Sequence, residues 1–342
     1  MASSRARRRA PSRSGTDRVR CLRLAATLTA VCLLAISCVQ QPKRPLRVAL
    51  PFWPAYELAY LARDLGYYDA RRVELIDTRP PLDSQRAYRH GIVDLAPMPL
   101  DEVVTLASHD PGERIVLVID FSLGGDAVVA HADVTRAADL KGRRIAVEPT
   151  ALGALMLARV LAQAHLTRDD VTVLLIDFED QLEAFHTRRA DAVITYEPLR
   201  SALLDRGARE LFSSAQIPEE VADVLIAPAA LVEERAADVG HVVDGWLRAL
   251  EYFERQREDA ARRIATRPGV TPVPRSAVQV LASLDGLRLV GRDQNARLLG
   301  DPQERLARAA VRVASALRDV RVVTAMPDVA SLFDGRFVKG AP

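Results

Sequence analysis

Cysteine is nearly absent from this sequence, and the little that is present lies at one end. The 342-residue chain has three cysteines, Cys21, Cys32 and Cys38, and none after them. The long remainder therefore has no disulfide, no thiolate zinc site and no catalytic cysteine. The six histidines are dispersed without a pair at ligand spacing, so no metal site is indicated.

Net positive charge is absent once the first 38 residues are set aside. Those residues hold eight arginines and one acid, and the remainder has 39 Lys and Arg against 44 Asp and Glu. Nucleic acid is excluded as an expected partner, because phosphate binding needs a clustered positive surface. The 49% hydrophobic content indicates a globular body with one large or two small domains.

Motifs for phosphate binding and covalent catalysis are missing as well. The stretch SLGGD at Ser122–Asp126 lacks the lysine and the strand-loop-helix context of a phosphate loop, which favours a hinge or turn. No Ser-His-Asp or Cys-His set is recognisable. We therefore expect no catalytic residues and no cofactor.

The N-terminus has the three parts of an export signal. A basic segment reaches Arg23, the apolar run Leu24–Ser37 is too short to span a membrane, and Cys38 follows. The stretch Leu34–Cys38 resembles a bacterial lipobox, which implies a signal peptide at 1–37, lipidation of Cys38 and a tether at 38–45. Alternatively, the signal is an ordinary one and Cys38 is incidental.

Beyond the tether, strand and helix patterns alternate, which predicts an α/β fold with a largely parallel sheet. The last hundred residues predict helices. Two α/β units predict two lobes, joined by two stiff hinge strands near Asp126–His131 and Val224–Pro228. The expected boundaries are 46–124 and 229–342 for the first lobe and 125–228 for the second.

Four stretches carry a family likeness: Phe52–Asp69, His90–Val103, Ala138–Gly153 and Ala190–Leu204. They resemble an extracytoplasmic solute-binding protein of the nitrate/sulfonate/taurine type, which feeds ABC importers. Relatives of that group include binding proteins and synthases for thiamine's pyrimidine. The resemblance implies a two-lobe periplasmic-binding (type II) fold with the ligand between the lobes. It also implies a membrane-anchored lipoprotein whose partner is an ABC permease with its ATPase, and we expect a monomer.

Five predicted strand ends supply the candidate binding site, because ligands of open α/β sheets lie beyond the carboxyl ends of the strands. These ends are Phe52–Pro54, Pro97–Pro99, Asp120–Ser122, Glu148–Thr150 and Tyr196–Pro198. They are rich in aromatic residues, prolines and carboxylates, which suits a pocket with apolar walls and a few polar groups. The predicted ligand-binding residues are Trp53, Tyr56, Met98, Pro99, Asp120, Glu148, Thr150, Ala151, Leu152, Gly153, Tyr196 and Glu197.

The corner that begins at Glu148 is the most informative of the five. We expect Thr150 to cap the next helix, whose first amides would point into the cleft with the positive end of the dipole behind them. Gly153 would let a ligand approach the backbone closely. Alternatively, this is an ordinary corner with a routine cap.

Several candidate residues have two interpretations each. Trp53 would stack on a flat ligand group or plug a gap between lobe and helix. Asp120 would accept from a ligand or pair at the hinge. The acids Glu57, Asp101 and Glu102 also suit the first turn of a helix, where negative charge is favoured.

The expected ligand follows from the charge of the strand ends. None of the five carries Lys or Arg, which usually hold oxyanions. We therefore expect a small flat ligand with N–H donors, such as an aminopyrimidine or an amine, and a sulfonate, nitrate or carboxylate monoanion is the alternative. A ligand-sensing lipoprotein would also fit the pattern, as would, on the same fold, an enzyme resembling a pyrimidine synthase or a desulfinase.

Overall fold

The computed structural model describes residues 43–78, 81–267, 276–300, 305–319 and 321–339. Contacts separate a short N-terminal unit, Met1–Arg44, from the main unit, Pro45–Pro342, and all that follows concerns the main unit. The predicted signal peptide, Cys38 and most of the tether lie outside the described residues.

Strands and helices alternate through the first two thirds of the main unit, and helices dominate the last third, so the predicted α/β architecture is confirmed. The strands are β1 Leu46–Leu50, β2 Val73–Asp77, β3 Ala96–Pro99, β4 Glu113–Ser122, β5 Asp126–Ala130, β6 Arg144–Val147, β7 Thr172–Leu175, β8 Ala192–Tyr196, β9 Arg209–Ser213, β10 Ala222–Pro228 and β11 Leu287–Leu289.

The helices follow the strands closely in the first part of the chain and then pack on one another. They are α1 Glu57–Asp64, α2 Pro81–Arg89, α3 Leu100–Ala107, α4 Ala151–Gln163, α5 Phe178–His186, α6 Leu199–Leu204, α7 Ala229–Glu234, α8 Ala236–Arg255, α9 Arg257–Thr266, α10 Ala277–Asp285, α11 Arg292–Gly300 and α12 Arg305–Asp319.

Two groups of strands define two lobes. In lobe 1, β1 pairs with β2 in parallel, and a four-stranded sheet has the order β11-β4-β10-β3. A parallel bridge between Val48 and Leu95 links β1 to the start of β3. In lobe 2, five strands have the order β7-β6-β8-β5-β9. The predicted largely parallel sheet is wrong: neighbouring strands of the four-stranded sheet are all antiparallel, and the five-stranded sheet is mixed, because β5 runs antiparallel to both of its neighbours.

Each lobe buries its own apolar core. Along β5, Val128 and Ala130 pack on one face of the lobe 2 sheet, and Ala127 and Val129 pack on the other. This strand is apolar on both faces because helices cover both. The N-terminal turns of α4 are an exception to the separation, since Ala151 and Leu155 belong to the core of lobe 1.

The return from lobe 2 differs from the sequence-based expectation. Strand β10 pairs with β3 and β4, so it lies in lobe 1, and the return crossing occupies 214–221 instead of Val224–Pro228. An apolar strand of this kind has the same sequence pattern in either sheet, because both sheets bury the two faces of the strand. The described residues within 45–122 and 222–339 therefore belong to lobe 1, and 126–213 belong to lobe 2.

Short segments, rather than continuous strands, connect the lobes. The outward crossing, 123–125, is tied to the return crossing, because the N–H of Gly124 donates to the Ser214 hydroxyl at 2.8 Å. The hydroxyl of Ser122, at the end of β4, lies 2.9 Å from the same oxygen. Glu220 of the return crossing accepts from Arg159 of α4 at 2.7 Å and from Arg312 of α12 at 3.3 Å. One buried carboxylate thus contacts an arginine from each lobe.

Candidate functional site

A cavity of about 70 Å³ lies between the two lobes. This volume is several times the volume needed to hold one water molecule, so the cavity suits a small molecule. Both lobes and the return crossing contribute to its wall. The lining residues are Pro51, Phe52, Trp53, Tyr56, Gln85, Pro97, Met98, Pro99, Glu102, Asp126, Glu148, Thr150, Leu152, Tyr196, Val221 and Asp223.

Two aromatic rings meet across this cavity. Trp53 follows β1 in lobe 1, and Tyr196 ends β8 in lobe 2; their ring centroids are 6.2 Å apart in an edge-to-face arrangement. Phe178 stacks on the other ring of this pair, Tyr196, at 4.3 Å. The site therefore offers flat apolar surfaces from both lobes, as a pocket for a planar ligand requires.

At the corner that begins at Glu148, the predicted helix cap is confirmed, but the predicted approach of a ligand to Gly153 is not. Thr150 caps α4 as expected, because its hydroxyl accepts from the Gly153 amide at 3.1 Å. Gly153 does not line the cavity, however. A Cβ at this position would lie 2.5 Å from the Glu148 carbonyl oxygen and 2.8 Å from Cγ1 of Val147. The glycine lets the helix pack against its own strand, and it leaves no room there for a ligand.

The first amide of α4 is also engaged within the protein. Ala151 is buried outside the cavity lining, and its N–H donates to Oε1 of Glu102 at 2.7 Å. Glu102 lies in the first turn of α3, so this hydrogen bond joins lobe 1 to lobe 2. Only Leu152, among the three amide-bearing residues predicted to face a ligand, lines the cavity.

Two predicted acids have protein partners away from the cavity, although Oδ1 of Asp120 has no hydrogen-bond partner among the described residues. Asp120 is fully buried, and its Oδ2 accepts from the indole Nε1 of Trp53 at 3.1 Å, so it positions the indole from behind. Glu197 accepts from Arg200 and from the Ser201 hydroxyl, both at 2.9 Å, within the start of its own helix. Neither carboxylate lines the cavity, because each has a closer protein partner.

The remaining eight predicted residues do line the cavity. That they contact a ligand stays a prediction. They are Trp53, Tyr56, Met98, Pro99, Glu148, Thr150, Leu152 and Tyr196.

Burial raises the pKa of carboxyl groups that line the cavity. The pKa of Glu148 rises to about 7, chiefly through loss of water, with smaller contributions from the negative charges of Glu179, Asp177 and Glu102. Burial likewise raises the pKa of Asp126 to about 6. These groups ionise near neutral pH, at a cost that a donor or a cation in the cavity would offset.

Tyr56 and Asp223 form a hydrogen-bonded pair on the lobe 1 side of the cavity. Burial, followed by the charge of Asp126, raises the pKa of Asp223 to about 8, and the phenol of Tyr56 hydrogen-bonds to it. Behind this pair, Asp101 is fully buried, and burial raises its pKa well above the ordinary range. Among the described residues, neither oxygen of Asp101 has a hydrogen-bond partner.

The charge of the wall is one-sided. Four carboxyl groups line the cavity, from Glu102, Asp126, Glu148 and Asp223, and no Lys or Arg among the described residues does so. The sequence reasoning missed Asp126 and Asp223 as site residues. Each is a carboxylate in an otherwise apolar strand, and that signal could have identified them, since burying an acid without a function is costly.

The other lining residues that were not predicted are mainly apolar or neutral. Glu102 is the exception, and its position in the first turn of its helix indicated helix stabilisation rather than ligand binding. Phe52 and Pro97 lie in two of the five predicted strand ends but were not among the predicted ligand-binding residues. The other residues not predicted are Pro51, Phe52, Gln85, Pro97, Glu102 and Val221.

Within the described ranges, no group of three or more His, Cys, Asp or Glu side chains is arranged to hold a metal ion. In the same part of the chain, no helix combines the length and apolar character needed to cross a membrane.

Comparison with known proteins places this geometry in context. A family model described as NMT1/THI5 like matches residues 53–260. No curated protein sequence matches the chain.

Solved structures match the fold over most of its length. The alkanesulfonate-binding protein SsuA from Xanthomonas axonopodis pv. citri, bound to MOPS, superposes with a TM-score of 0.69 at 18% identity, over 86% of this chain and 99% of that one. The periplasmic aliphatic sulphonate binding protein SsuA from Escherichia coli gives 0.68 at 17%, over 85% and 92%. The desulfurization enzyme DSZB gives 0.63 at 18%, over 86% and 98%. The predicted periplasmic-binding fold is thereby confirmed.

Proposed function

Since the chain belongs to the NMT1/THI5-like family, we propose that it is an extracytoplasmic solute-binding protein of an ABC importer. It captures a small molecule in the cavity between the lobes and presents it to a permease, which works with a cytoplasmic ATPase. The two SsuA structures support this role, because both are binding proteins on the same fold. The likeness by itself extends to the fold, so the role rests on the cavity as well.

Hinge closure is the proposed mechanism. Trp53 of lobe 1 and Glu148 of lobe 2 line the same cavity, so a ligand between them contacts both lobes. Such a ligand stabilises the closed form only by its higher affinity for that form. The closed form is then the one that a permease recognises.

The ligand class follows from one observation: four carboxyls and two aromatic rings, which meet edge to face, line a cavity that no described Lys or Arg lines. A small flat molecule with N–H donors, such as an aminopyrimidine or an amine, satisfies both features. Its donors pair with the acids, and its ring lies against Trp53 or Tyr196.

A sulfonate or a similar monoanion is the second candidate. The names of the two SsuA neighbours favour it. Within this chain, the dipole of the thirteen-residue helix α4 attracts negative charge, but the amides of Ala151 and Gly153 already have partners within the protein. The acidic wall opposes it.

Calorimetry with both ligand classes tests the assignment. Glu148→Gln should weaken binding of 4-aminopyrimidine about tenfold, because it removes one charged acceptor, and should leave methanesulfonate binding unchanged or improved. Asp205→Asn, an exposed acid at the end of α6, is the matched control and should change neither. Tight methanesulfonate binding that is indifferent to Glu148→Gln would refute the donor ligand.

We further propose that the protein binds its ligand without converting it. The desulfurization enzyme DSZB shares the fold, so product analysis after incubation with ligand is needed to test this point. Export, lipidation of Cys38, membrane attachment and a monomeric state belong to the same proposal. Intact mass of the membrane-extracted protein would show a diacylglyceryl-modified Cys38 at the N-terminus if the anchor is present. Ligand sensing rather than transport remains the alternative for the same site.

A further inference from the structure

Glu102 connects the two lobes through a single hydrogen bond. Its carboxylate, in the first turn of α3, accepts from the N–H of Ala151, the first residue of α4, at 2.7 Å. The contact is buried, and it joins residues from different lobes that are 49 positions apart in sequence. A first-turn acid would ordinarily serve its own helix, whereas this one serves a helix of the other lobe.

The site that Glu102 occupies is one where an anion would otherwise bind. The first amides of a helix lack intrahelical partners, and the dipole adds a positive partial charge of about half a unit. At α4 the Gly153 amide is taken by Thr150, and the Ala151 amide is taken by Glu102. The carboxylate of lobe 1 therefore fills the position of an anionic ligand.

Neighbouring groups hold this carboxylate in place and limit the effect of burial on its pKa. Burial raises the pKa of Glu102, while the Ala151 amide, a hydrogen bond from Gln85 and the charge of Arg89 oppose that rise. Gln85 and Glu102 both line the cavity. The group is thus anchored on two sides at the cavity wall.

Independent observations show that the cavity beside this helix end is built for a polar ligand. Asp126 is 3% exposed and lines the cavity, and its Oδ2 has no hydrogen-bond partner among the described residues. A buried acceptor of this kind requires a donor. With Glu102 on the Ala151 amide, the unsatisfied buried side-chain atom at the cavity wall is an acceptor, Oδ2 of Asp126.

We propose that Glu102 is a specificity-determining residue, which excludes monoanions by acting as an internal anion at the N-terminus of α4. This inference rests on the solute-binding function proposed above and deepens it. It explains how a fold shared with sulfonate-binding proteins can serve a ligand with N–H donors. The exclusion is both steric and electrostatic, because the carboxylate takes the amide and repels a second negative charge.

Calorimetric titration with methanesulfonate tests the proposal. Glu102→Ala should bind methanesulfonate at least tenfold more tightly than the unsubstituted protein, because the helix end becomes free and one negative charge is lost. Glu102→Gln should gain less, since its amide oxygen still accepts from Ala151. The matched control is Glu148→Ala, which removes a charge from the same cavity but leaves the helix end occupied, and its gain should be clearly smaller.

Two results would overturn the proposal: equal gains from Glu102→Ala and Glu148→Ala, or methanesulfonate binding by the unsubstituted protein as tight as by Glu102→Ala. Circular dichroism checks that each variant folds. If Glu102→Ala does not, Glu102→Gln must still exceed Glu148→Gln for the proposal to stand, because a neutral amide oxygen holds the Ala151 N–H less strongly than a carboxylate does. A parallel titration with 4-aminopyrimidine separates the two claims: its failure to bind would refute the proposed ligand class, while the methanesulfonate series would still report on Glu102.

Discussion

Replacing Glu148 by glutamine should stabilise the ligand-free protein at pH 8 and leave its stability unchanged near pH 4. The pKa of Glu148 rises from the ordinary value of 4.5 to about 7 in the folded protein. Between these two values the folded state binds more protons than the unfolded state. The free energy of unfolding therefore falls as the pH rises from about 4.5 to about 7, and it stays reduced above that.

The magnitude follows from the size of the pKa shift. A shift of this size corresponds to about 3 kcal/mol, since one pKa unit is worth about 1.4 kcal/mol. Glu148 is partly exposed, and solvent screening reduces the effect, so we expect about 1–2 kcal/mol. Glutamine has nearly the same shape and cannot ionise, so Glu148→Gln should recover this amount. For a chain of this size the gain corresponds to a melting temperature about 3 °C higher.

Thermal unfolding of both proteins by calorimetry at pH 4, 6 and 8 checks this prediction. The difference in melting temperature should be near zero at pH 4 and grow with pH. Asp205→Asn, whose acid is exposed, serves as the control and should give a difference that does not grow in this way. A Glu148→Gln difference that is the same at all three pH values would show that burial does not hold this carboxyl in its neutral form.

Three further substitutions probe how the site is held. Gly153→Ala would place a methyl group 2.5 Å from a backbone carbonyl oxygen and should destabilise the fold by about 1–3 kcal/mol in urea titration. The control is Gly240→Ala within α8, where the nearest atom to the new methyl group would be Cδ1 of Phe337 at 3.4 Å, and it should be neutral or stabilising. Trp53→Phe removes the indole donor from Asp120 and should cost about 1–3 kcal/mol at pH 8, and an unchanged urea midpoint would contradict this role. Glu220→Gln leaves two arginines without their shared counter-charge, so hydrogen exchange in 214–221 should accelerate; unchanged exchange would argue against a link between the lobes.

Much of the site could be predicted because strand ends are visible in a sequence. Glu148, Thr150 and Tyr196 all stand where an apolar run breaks, and each lines the cavity. The family resemblance was equally accessible, since it rests on stretches spread along the whole body, and the match of residues 53–260 confirms it.

The errors share a physical cause: a side chain's nearest partner is set by packing rather than by position in a pattern. Glu197 stands at a strand end as predicted, yet Arg200 and Ser201 satisfy it locally. Strand β10 was predicted to belong to lobe 2, because an apolar strand gives no sign of which sheet it enters.

The sequence by itself determined the alternation of strands and helices, the caps and the low positive charge of the body, because each depends on neighbours along the chain. The tertiary structure alone decided which acids face the cavity and which acid serves which helix. Glu102 and Ala151 are far apart in the chain, yet Oε1 of Glu102 lies 2.7 Å from the amide nitrogen of Ala151. The position of Glu102 in the sequence indicates that it stabilises its own helix, whereas the packing of the two lobes places it at the N-terminus of another helix.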